Sequence, residues 1–350
     1  MSLDEKVRDA CHRIEDLWHE TDGKCFVSFS GGKDSTVILA LIKLCEEVYT
    51  IPPNGIPAVF SNTGIELGVT VDFVKWVKDT WYPNVITVIP EKTFDWVIKN
   101  KGKPIKSKMR SEFLYRYHTD GKRTENVMKS LVYGVTNTGK RAKRTVLADK
   151  DMHMLHDAFL IRPSQDCCKV LKKEPFAKYE RENNMNGSMY GTRVAEGGAR
   201  EMTYAIHGMN SAKPCTSISS GKIRKRPIYD WTDEDLEDFI EKYNVPLSDA
   251  YTKYGLKRTG CMGCPFSKNL TDSLGYLYLH EPNRYKASMH WLKDVYIAQD
   301  VRVPFDEAYE REREREWFER YEPMRQEMLR KYRPNSRLIK DHEQITIFDI

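Results

Sequence analysis

The 350-residue sequence lacks several features that would place a protein in a broad class at once. It has no apolar run of the roughly 20 residues that a membrane-spanning helix needs. Its first residues lack the basic and then apolar order of a signal peptide. Lys and Arg exceed Asp and Glu only by 56 to 51, well short of the surplus of a nucleic-acid packing protein. We therefore expect a cytoplasmic, globular protein with no membrane partner.

Alternating apolar patterns predict an open α/β fold with a mainly parallel sheet and helices on both faces. Strands are predicted at 25–29, 57–61, 85–89 and 188–191, and helices at 3–18, 66–81, 168–182 and 232–243, with a further helix from residue 36. The predicted organisation is an N-terminal helix in 1–23, a nucleotide-binding domain in 24–268 and a charged helical C-terminal region in 269–350. Within the domain, 101–156 is predicted to be a basic insertion.

A glycine loop follows the first predicted strand and leads into a helix. It reads Ser30-Gly31-Gly32-Lys33-Asp34-Ser35. Glycines allow close backbone approach, and the N–H groups of a helix's first turn bind phosphate. Lys33 adds a positive charge and the serines add hydroxyls, while Asp34 could cap the helix or, with Mg²⁺, help to hold a triphosphate. The loop differs from the Walker pattern, which has Ser or Thr after the lysine.

Eight cysteines in a chain without secretion signals indicate reduced thiols, metal ligands or catalysis rather than a disulfide framework. Four of them form two pairs: Cys167 with Cys168, and Cys261 with Cys264. Four thiolates suit a tetrahedral Zn²⁺ or a [4Fe–4S] cluster, and an adjacent pair is unusual for structural zinc. The alternative is two core thiols beside a zinc half-site or a redox pair.

The hexapeptide resembles the PP-loop of the ATP pyrophosphatase and sulfonucleotide reductase superfamily. Residues 59–66, with Asn62, Thr63 and Gly64, resemble the segment after the second strand of phosphoadenosine phosphosulfate reductases, although Asn62 replaces the usual acid. The segment around Arg193 resembles the family's Gly-x-Arg, and both cysteine pairs resemble its cluster motifs. The resemblance covers about residues 24–266 and implies an adenine nucleotide α-hydrolase-like, Rossmann-like fold with a [4Fe–4S] cluster.

The same resemblance implies roles for individual residues. It makes Lys33 and Asp34 catalytic candidates, and it makes Cys167, Cys168, Cys261 and Cys264 the cluster ligands. The implied nucleotide contacts, to ATP or to adenylyl sulfate with or without its 3′-phosphate, are Ser30, Gly31, Gly32, Lys33, Asp34, Ser35, Asn62, Thr63, Gly64 and Arg193.

The sequence departs from the reductases at its end, because no cysteine follows Cys264. Reductases of this family carry their nucleophilic thiol in a C-terminal Glu-Cys-Gly tail. Cys215, in a polar loop, is then the remaining candidate thiol. It could carry a persulfide, or it could equally be a loop cysteine without a catalytic role. A PP-loop and a cluster without that tail resemble the ATP pyrophosphatases of DNA phosphorothioation and, more loosely, the tRNA thiolation enzymes.

This subgroup implies partners as well. The basic region 99–144 would neutralise the phosphates of DNA or tRNA, and a cysteine desulfurase or another donor would supply sulfur. The tail 344–349 resembles peptides that dock on sliding clamps, and an apolar end packed against the core is an equal alternative. A homodimer also stays open. The leading hypothesis is ATP-driven sulfur transfer to nucleic acid. The alternatives are a divergent reductase that releases sulfite and a non-catalytic nucleotide- or clamp-binding DNA adaptor.

Overall fold

The computed structural model describes residues 1–48, 51–196, 215–219 and 221–339. The chain forms two compact units, one from 1–91 with 171–261 and one from 92–170 with 262–350. No helix in the described ranges is both long and apolar enough to cross a membrane. The predicted insertion 101–156 and most of the predicted C-terminal region 269–350 therefore belong to one unit.

The first unit contains six strands and six α-helices among the described residues. The strands are β1 Cys25–Phe29, β2 Ala58–Ser61, β3 Val85–Val88, β4 Gly187–Met189, β5 Thr216–Ser219 and β6 Lys222–Lys225. Its helices are α1 Leu3–Glu20, α2 Lys33–Val48, α3 Gly68–Trp76, α8 Glu174–Glu182, α9 Asp233–Lys242 and α10 Asp249–Thr252, and a π-helical turn, Val77–Trp81, extends α3.

The six strands form one sheet in the order β3-β2-β1-β4-β6-β5. All neighbouring pairs are parallel except the β5–β6 hairpin. The prediction of an open, mainly parallel α/β sheet is confirmed. From β1 the chain first builds outward to β3 and then returns to place β4 on the other side of β1. Such a reversal leaves a crevice at the carboxyl ends of the two strands, where open α/β sheets bind ligands.

The strands bury alternate side chains on opposite faces, so both faces carry helices. On one face Val27 and Phe29 pack in a large core with side chains of α1, α2 and α9. On the other face Phe26 stacks on Phe176 of α8, with ring centroids 6.0 Å apart, and meets Tyr179 edge-on.

The helix predicted to start after Thr232 is confirmed by a capping box. The Thr232 hydroxyl accepts a hydrogen bond from the Asp235 N–H, and the Asp235 carboxylate accepts one from the Thr232 N–H. This exchange satisfies two backbone donors that a helix end otherwise leaves without partners. The acidic first turn also complements the helix dipole.

The second unit contains helices, turns and isolated bridges, and no strand of the sheet lies among its described residues. Its helices are α4 Phe94–Lys101, α5 Lys108–His118, α6 Glu125–Val132, α7 Asp166–Cys168, α11 Leu270–His280, α12 Pro282–Ala298, α13 Glu307–Glu316 and α14 Glu322–Tyr332, with a 3₁₀ segment at Asp149–Leu155. The 3₁₀ segment packs against α14 and α5. At this contact the buried His153 ring meets Trp317, Tyr321 and Phe159 at centroid distances of 5.0 to 6.0 Å.

Candidate nucleotide-binding site

The predicted glycine loop connects the carboxyl end of β1 to the first turn of α2. Gly31 has φ +69°, and a Cβ there would lie 3.0 Å from methyl carbons of Thr70 and Val74. The loop is closed by a hydrogen bond of 3.0 Å between the hydroxyls of Ser30 and Ser35. The Ser30 N–H also donates to the Ser35 hydroxyl. The loop is thus held in the curved shape that an anion site at a helix N-terminus requires.

A tyrosine and a threonine that sequence reasoning missed line this loop. The N–H groups of Lys33 and Thr259 each donate to the Tyr251 hydroxyl oxygen over 3.3 Å. That hydroxyl lies 3.0 Å from the Thr259 Oγ1. Because the Tyr251 oxygen already accepts two N–H groups, its own proton is directed to the threonine. The Lys33 ammonium lies 5.4 Å from the centre of the Tyr251 ring, within cation–π range. A phosphate oxygen that takes the Lys33 N–H therefore competes with the tyrosine hydroxyl.

Arg193, after β4, reaches the first turn of α2. Its Nε donates to the Asp34 carboxylate over 2.5 Å, its second nitrogen to the Trp231 carbonyl and its third to Asp233 over 2.8 Å. Burial lowers the pKa of Arg193, but the two carboxylates outweigh that effect and raise it. Asp34 is 30% exposed and Asp233 is 78% exposed, so the pair with Asp34 contributes more to stability.

These contacts bring Arg193 to the loop through Asp34. They do not test its predicted contact with the anionic end of a nucleotide, which stays a prediction. The same holds for the predicted catalytic roles of Lys33 and Asp34.

The segment after β2 forms a second, self-bonded turn. The Asn62 side-chain oxygen accepts the Gly64 N–H over 3.1 Å, which gives Asn62 a local structural use in place of the family's acid. Thr63 donates both its N–H and its hydroxyl to the buried Glu66 carboxylate, over 2.9 and 2.7 Å. Glu66 lies 4.0 Å from the Lys172 ammonium. The predicted nucleotide contacts of residues 62–64 are not tested.

A cleft lies at the carboxyl ends of β1 and β2, within the first unit. Its lining combines phenyl rings, hydroxyls and one carboxylate and ammonium pair: Ser28, Phe29, Ser30, Phe60, Ser61, Glu66, Thr70, Lys172, Phe176, Thr259 and Gly260. Apolar walls with a few convergent polar groups are typical of small-ligand sites. Lys172 and Thr259 carried a sequence signal, since each stands close to a cysteine pair, whereas nothing in the sequence marked Tyr251.

The two cysteine pairs lie where the chain passes from one unit to the other. Cys167 is buried at the C-terminal end of α7, and Cys168 is half-buried. Cys261 forms an antiparallel bridge with Glu66 of the first unit. Across the described residues no group of three or more His, Cys, Asp or Glu side chains is arranged to hold a metal ion. Assignment of the four thiols to a cluster stays a prediction.

Gly263, which lies between Cys261 and Cys264 in the sequence, is held by contacts within the second unit. Gly263 has φ +56°, and a Cβ there would overlap the hydroxyls of Ser288 and Tyr296. The Tyr296 hydroxyl donates to the Gly263 carbonyl over 2.6 Å, so Ser288 must donate to Tyr296. Burial raises the pKa of Tyr296. Glycine is therefore required inside this cysteine turn.

Two further predicted features fall outside the site. Cys215 is half-buried just before β5, and its sulfur lies 3.6 Å from the Thr216 hydroxyl. Its predicted persulfide role is not tested. The tail resembling a clamp-docking peptide, 344–349, lies outside the described residues.

Comparison with known families gives the class of the protein. The phosphoadenosine phosphosulfate reductase domain matches residues 24–131 and 124–267, which together span more than half of the chain. The chain belongs to this family. No curated protein matches it significantly.

Several solved structures are similar at low identity. The phosphoadenylyl-sulfate reductase from Candida auris, in its phosphate complex, is 16% identical over 68% of this chain and 81% of its own, with TM-score 0.39. The FMN adenylyltransferase from Candida glabrata is 14% identical over 75% of this chain and 64% of its own, with TM-score 0.40. The U34-tRNA thiolase NcsA from Methanococcus maripaludis, with its [4Fe-4S] cluster, is 13% identical over 89% of this chain and 80% of its own, with TM-score 0.37. Values this low carry no argument about function.

Proposed function

We propose that this protein cleaves ATP at the PP-loop and uses the activated intermediate to transfer sulfur to a nucleic acid. The observation that carries the proposal is the loop itself, a closed turn at the N-terminus of α2 whose Asp34 is fixed by the buried Arg193. A helix N-terminus with an adjacent lysine binds the phosphates of a nucleotide. The family match supports an adenine nucleotide as the ligand.

The residues of the loop would have different roles in such a reaction. In an ATP pyrophosphatase, a target oxygen attacks the α-phosphorus, the bond to the bridging oxygen of the β-phosphate breaks, and pyrophosphate leaves with the electron pair. Lys33 and the first-turn N–H groups would stabilise the negative charge that develops on pyrophosphate. Asp34 would help to hold Mg²⁺ on the phosphates, since carboxylates are preferred magnesium ligands.

Cys167, Cys168, Cys261 and Cys264 would hold a [4Fe–4S] cluster, because four thiolates are its usual ligand set. Such a cluster, when bound, supplies a redox-active or sulfur-binding centre. The chain's own contribution would be positional: the Glu66 bridge fixes the backbone at Cys261, and Tyr296 fixes the turn that leads to Cys264. Iron and sulfide analysis after anaerobic purification distinguishes four irons from a single zinc.

One sequence feature supports nucleic acid as the sulfur acceptor. The region 99–144 is rich in lysine and arginine and poor in acids, and cations of this kind neutralise phosphates without reading sequence. Cys215, or a separate desulfurase, would then deliver the sulfur.

Nucleotide cleavage tests the proposal. With Mg²⁺, nucleic acid and a sulfur donor present, Lys33→Ala and Asp34→Asn should each lower ATP cleavage by about 10²-fold or more. The matched controls are Lys78→Ala and Asp79→Asn, which change exposed residues of the π-helical turn after α3. Equal activity of the loop variants and the controls would contradict the proposal.

The family match also keeps a second candidate, a divergent reductase that releases sulfite from adenylyl sulfate or its 3′-phosphorylated form. It differs from the first in its nucleotide and in its need for a reducing thiol. Sulfite release with thioredoxin as donor, measured in wild type and in Cys215→Ser, decides for or against it.

A further inference from the structure

A short basic hairpin, residues 133–144, projects from the end of α6 in the second unit. Val135 and Arg141 form an antiparallel bridge, flanked by hydrogen bonds from the Thr136 N–H to the Lys140 carbonyl and from the Ala142 N–H to the Gly134 carbonyl. The tip is closed by a hydrogen bond from the Gly139 N–H to the Thr136 carbonyl. This is a defined turn with paired arms rather than an irregular loop.

The base of the basic hairpin is anchored in the core of its unit. Thr145 is buried and donates its hydroxyl to the Ser130 carbonyl over 3.1 Å. The Leu147 N–H donates to the Leu131 carbonyl over 2.9 Å, and both leucine side chains are buried. The exposed arms are thus held in place by backbone hydrogen bonds, which lowers the entropy lost on binding.

Three cations of the hairpin have no acidic neighbour in the sequence. No Asp or Glu occurs anywhere in 126–148. Lys140, Arg141 and Lys143 are exposed, and none of them forms an ion pair with another described residue. Other lysines of the predicted basic region are neutralised within the second unit: Lys103 by Asp294 and Lys106 by Asp151. Within 99–144, some cations are therefore neutralised by ion pairs, whereas these three cations of the hairpin remain available to bind an anion.

We propose that the basic hairpin binds the phosphate backbone of a nucleic acid, which refines the proposed function by naming where its substrate is held. Three exposed cations on a fixed turn suit a chain of regularly spaced phosphates. Asn137 and Thr138 at the tip add polar side chains for phosphate or sugar contacts. The tip offers no apolar side chain for membrane insertion, and Tyr133, 55% exposed at the base, offers a ring on which a base can stack.

The test is binding, measured without ATP so that it does not depend on catalysis. Fluorescence anisotropy with short labelled single-stranded and duplex oligonucleotides would be recorded between roughly 50 and 200 mM salt. The triple variant Lys140→Ala, Arg141→Ala, Lys143→Ala should bind more weakly. The slope of its log Kd against log salt concentration should be smaller than the wild-type slope by about 2 to 3, because each phosphate contact contributes about 0.7 to 0.9 to that slope. Tyr133→Ala should weaken binding of the single-stranded oligonucleotide more than binding of the duplex.

The matched control removes the same charge elsewhere in the second unit, through Lys286→Ala, Arg315→Ala and Lys331→Ala, all exposed. Circular dichroism establishes that both triple variants are folded. If the two lose affinity and slope equally, net charge rather than the hairpin governs binding and the proposal is overturned. An unchanged slope in the hairpin variant also overturns it. ATP cleavage by the wild-type protein that is lost in Lys33→Ala tests the proposed function separately, so failure of the hairpin assignment alone leaves that function standing.

Discussion

Arg193 connects two helices at the candidate site by ion pairs. It is buried, and its guanidinium joins the first turn of α2 through Asp34 to the start of α9 through Asp233. Exposed ion pairs contribute about 0 to 1 kcal/mol, whereas breaking a buried pair costs about 3 to 5 kcal/mol. We therefore regard Arg193 first as the residue that positions Asp34. Direct contact with a nucleotide is an additional prediction.

Gly31→Ala is expected to impair nucleotide binding with only a modest loss of stability. The new Cβ would face 3.0 Å contacts with Thr70 and Val74 in addition to the strain of φ +69°. That strain alone costs about 1 kcal/mol. Gly221→Ala is the matched control, because φ there is +72° and no atom lies within 4 Å of the added carbon. Calorimetric titration with a non-hydrolysable ATP analogue should show weaker binding for Gly31→Ala alone. Equal affinities of the two variants would contradict this assignment of the loop.

Sequence reasoning located residues that lie in one local motif and missed those that converge from afar. The six residues of the glycine loop follow one another, so their proximity needed no tertiary information. Tyr251 and Thr259 lie more than 200 positions from Lys33 in the chain, and their contacts with the loop depend on packing. Glu66 was visible only as the last residue of a family-like segment, and its bonds to Thr63 were not predictable.

Packing against a neighbouring helix explains why a glycine lies between Cys261 and Cys264. The buried Tyr296 and Ser288 of α12 occupy the space where a side chain at residue 263 would project. The turn and the helix are therefore complementary in shape. The position of the second cysteine pair follows from that packing as well as from the local sequence.

Gly263→Ala is expected to lower the iron content of anaerobically purified protein by about 10-fold or more, because displaced supports of metal ligands commonly cost that much affinity. Tyr296→Phe, which keeps the ring and removes the hydrogen bond to the Gly263 carbonyl, should have a smaller effect in the same direction. The control is Gly255→Ala, since φ there is +64° and no atom lies within 4 Å. Undiminished iron in folded Gly263→Ala protein would argue against a cluster at these cysteines.

The first four strands of the sheet were predictable and the last two were not. β1, β2 and β3 are short apolar runs between turn residues and helical patterns, which is the standard signature of a parallel sheet. β5 and β6 carry serines, lysines and arginines instead. Their charges are balanced by distant partners: Lys225 by Glu20 of α1, and Arg224 by Glu180 of α8. Only the folded structure shows why such a polar hairpin belongs at the edge of the sheet.

The chain passes three times between its two units, and the second and third passages each lie within four residues of a cysteine pair. The sequence pattern predicted a main domain in 24–268, and that division stays a prediction. Chain continuity could not reveal that the basic insertion and the charged C-terminal helices share one unit, because hydrophobic patterning reports elements and not their long-range contacts.

Stability of the second unit is expected to fall on acidification because of His153. Burial lowers the pKa of His153 to about 3, and its Nε2 donates to the Ala298 carbonyl. The unfolded chain, with an imidazole pKa near 6.5, binds a proton that the folded state excludes. The free energy of unfolding should therefore decrease between about pH 6.5 and 3 by about 1.4 kcal/mol per pH unit.

Urea unfolding followed by tryptophan fluorescence across that pH range checks this expectation. His153→Gln should unfold with a shallower pH dependence than wild type, whatever its stability at neutral pH. His290→Gln, at an exposed histidine, should retain the wild-type dependence. An unchanged slope in His153→Gln would show that other groups govern the acid sensitivity.

Product identification tests ATP-driven sulfur transfer most directly. Anaerobically purified protein is offered ATP and adenylyl sulfate in parallel, with Mg²⁺, nucleic acid and a persulfide or thiol donor. We expect AMP and pyrophosphate from ATP, both lost in Asp34→Asn, together with sulfur in the nucleic acid. Sulfite from adenylyl sulfate, with no cleavage of ATP, would contradict the proposed function.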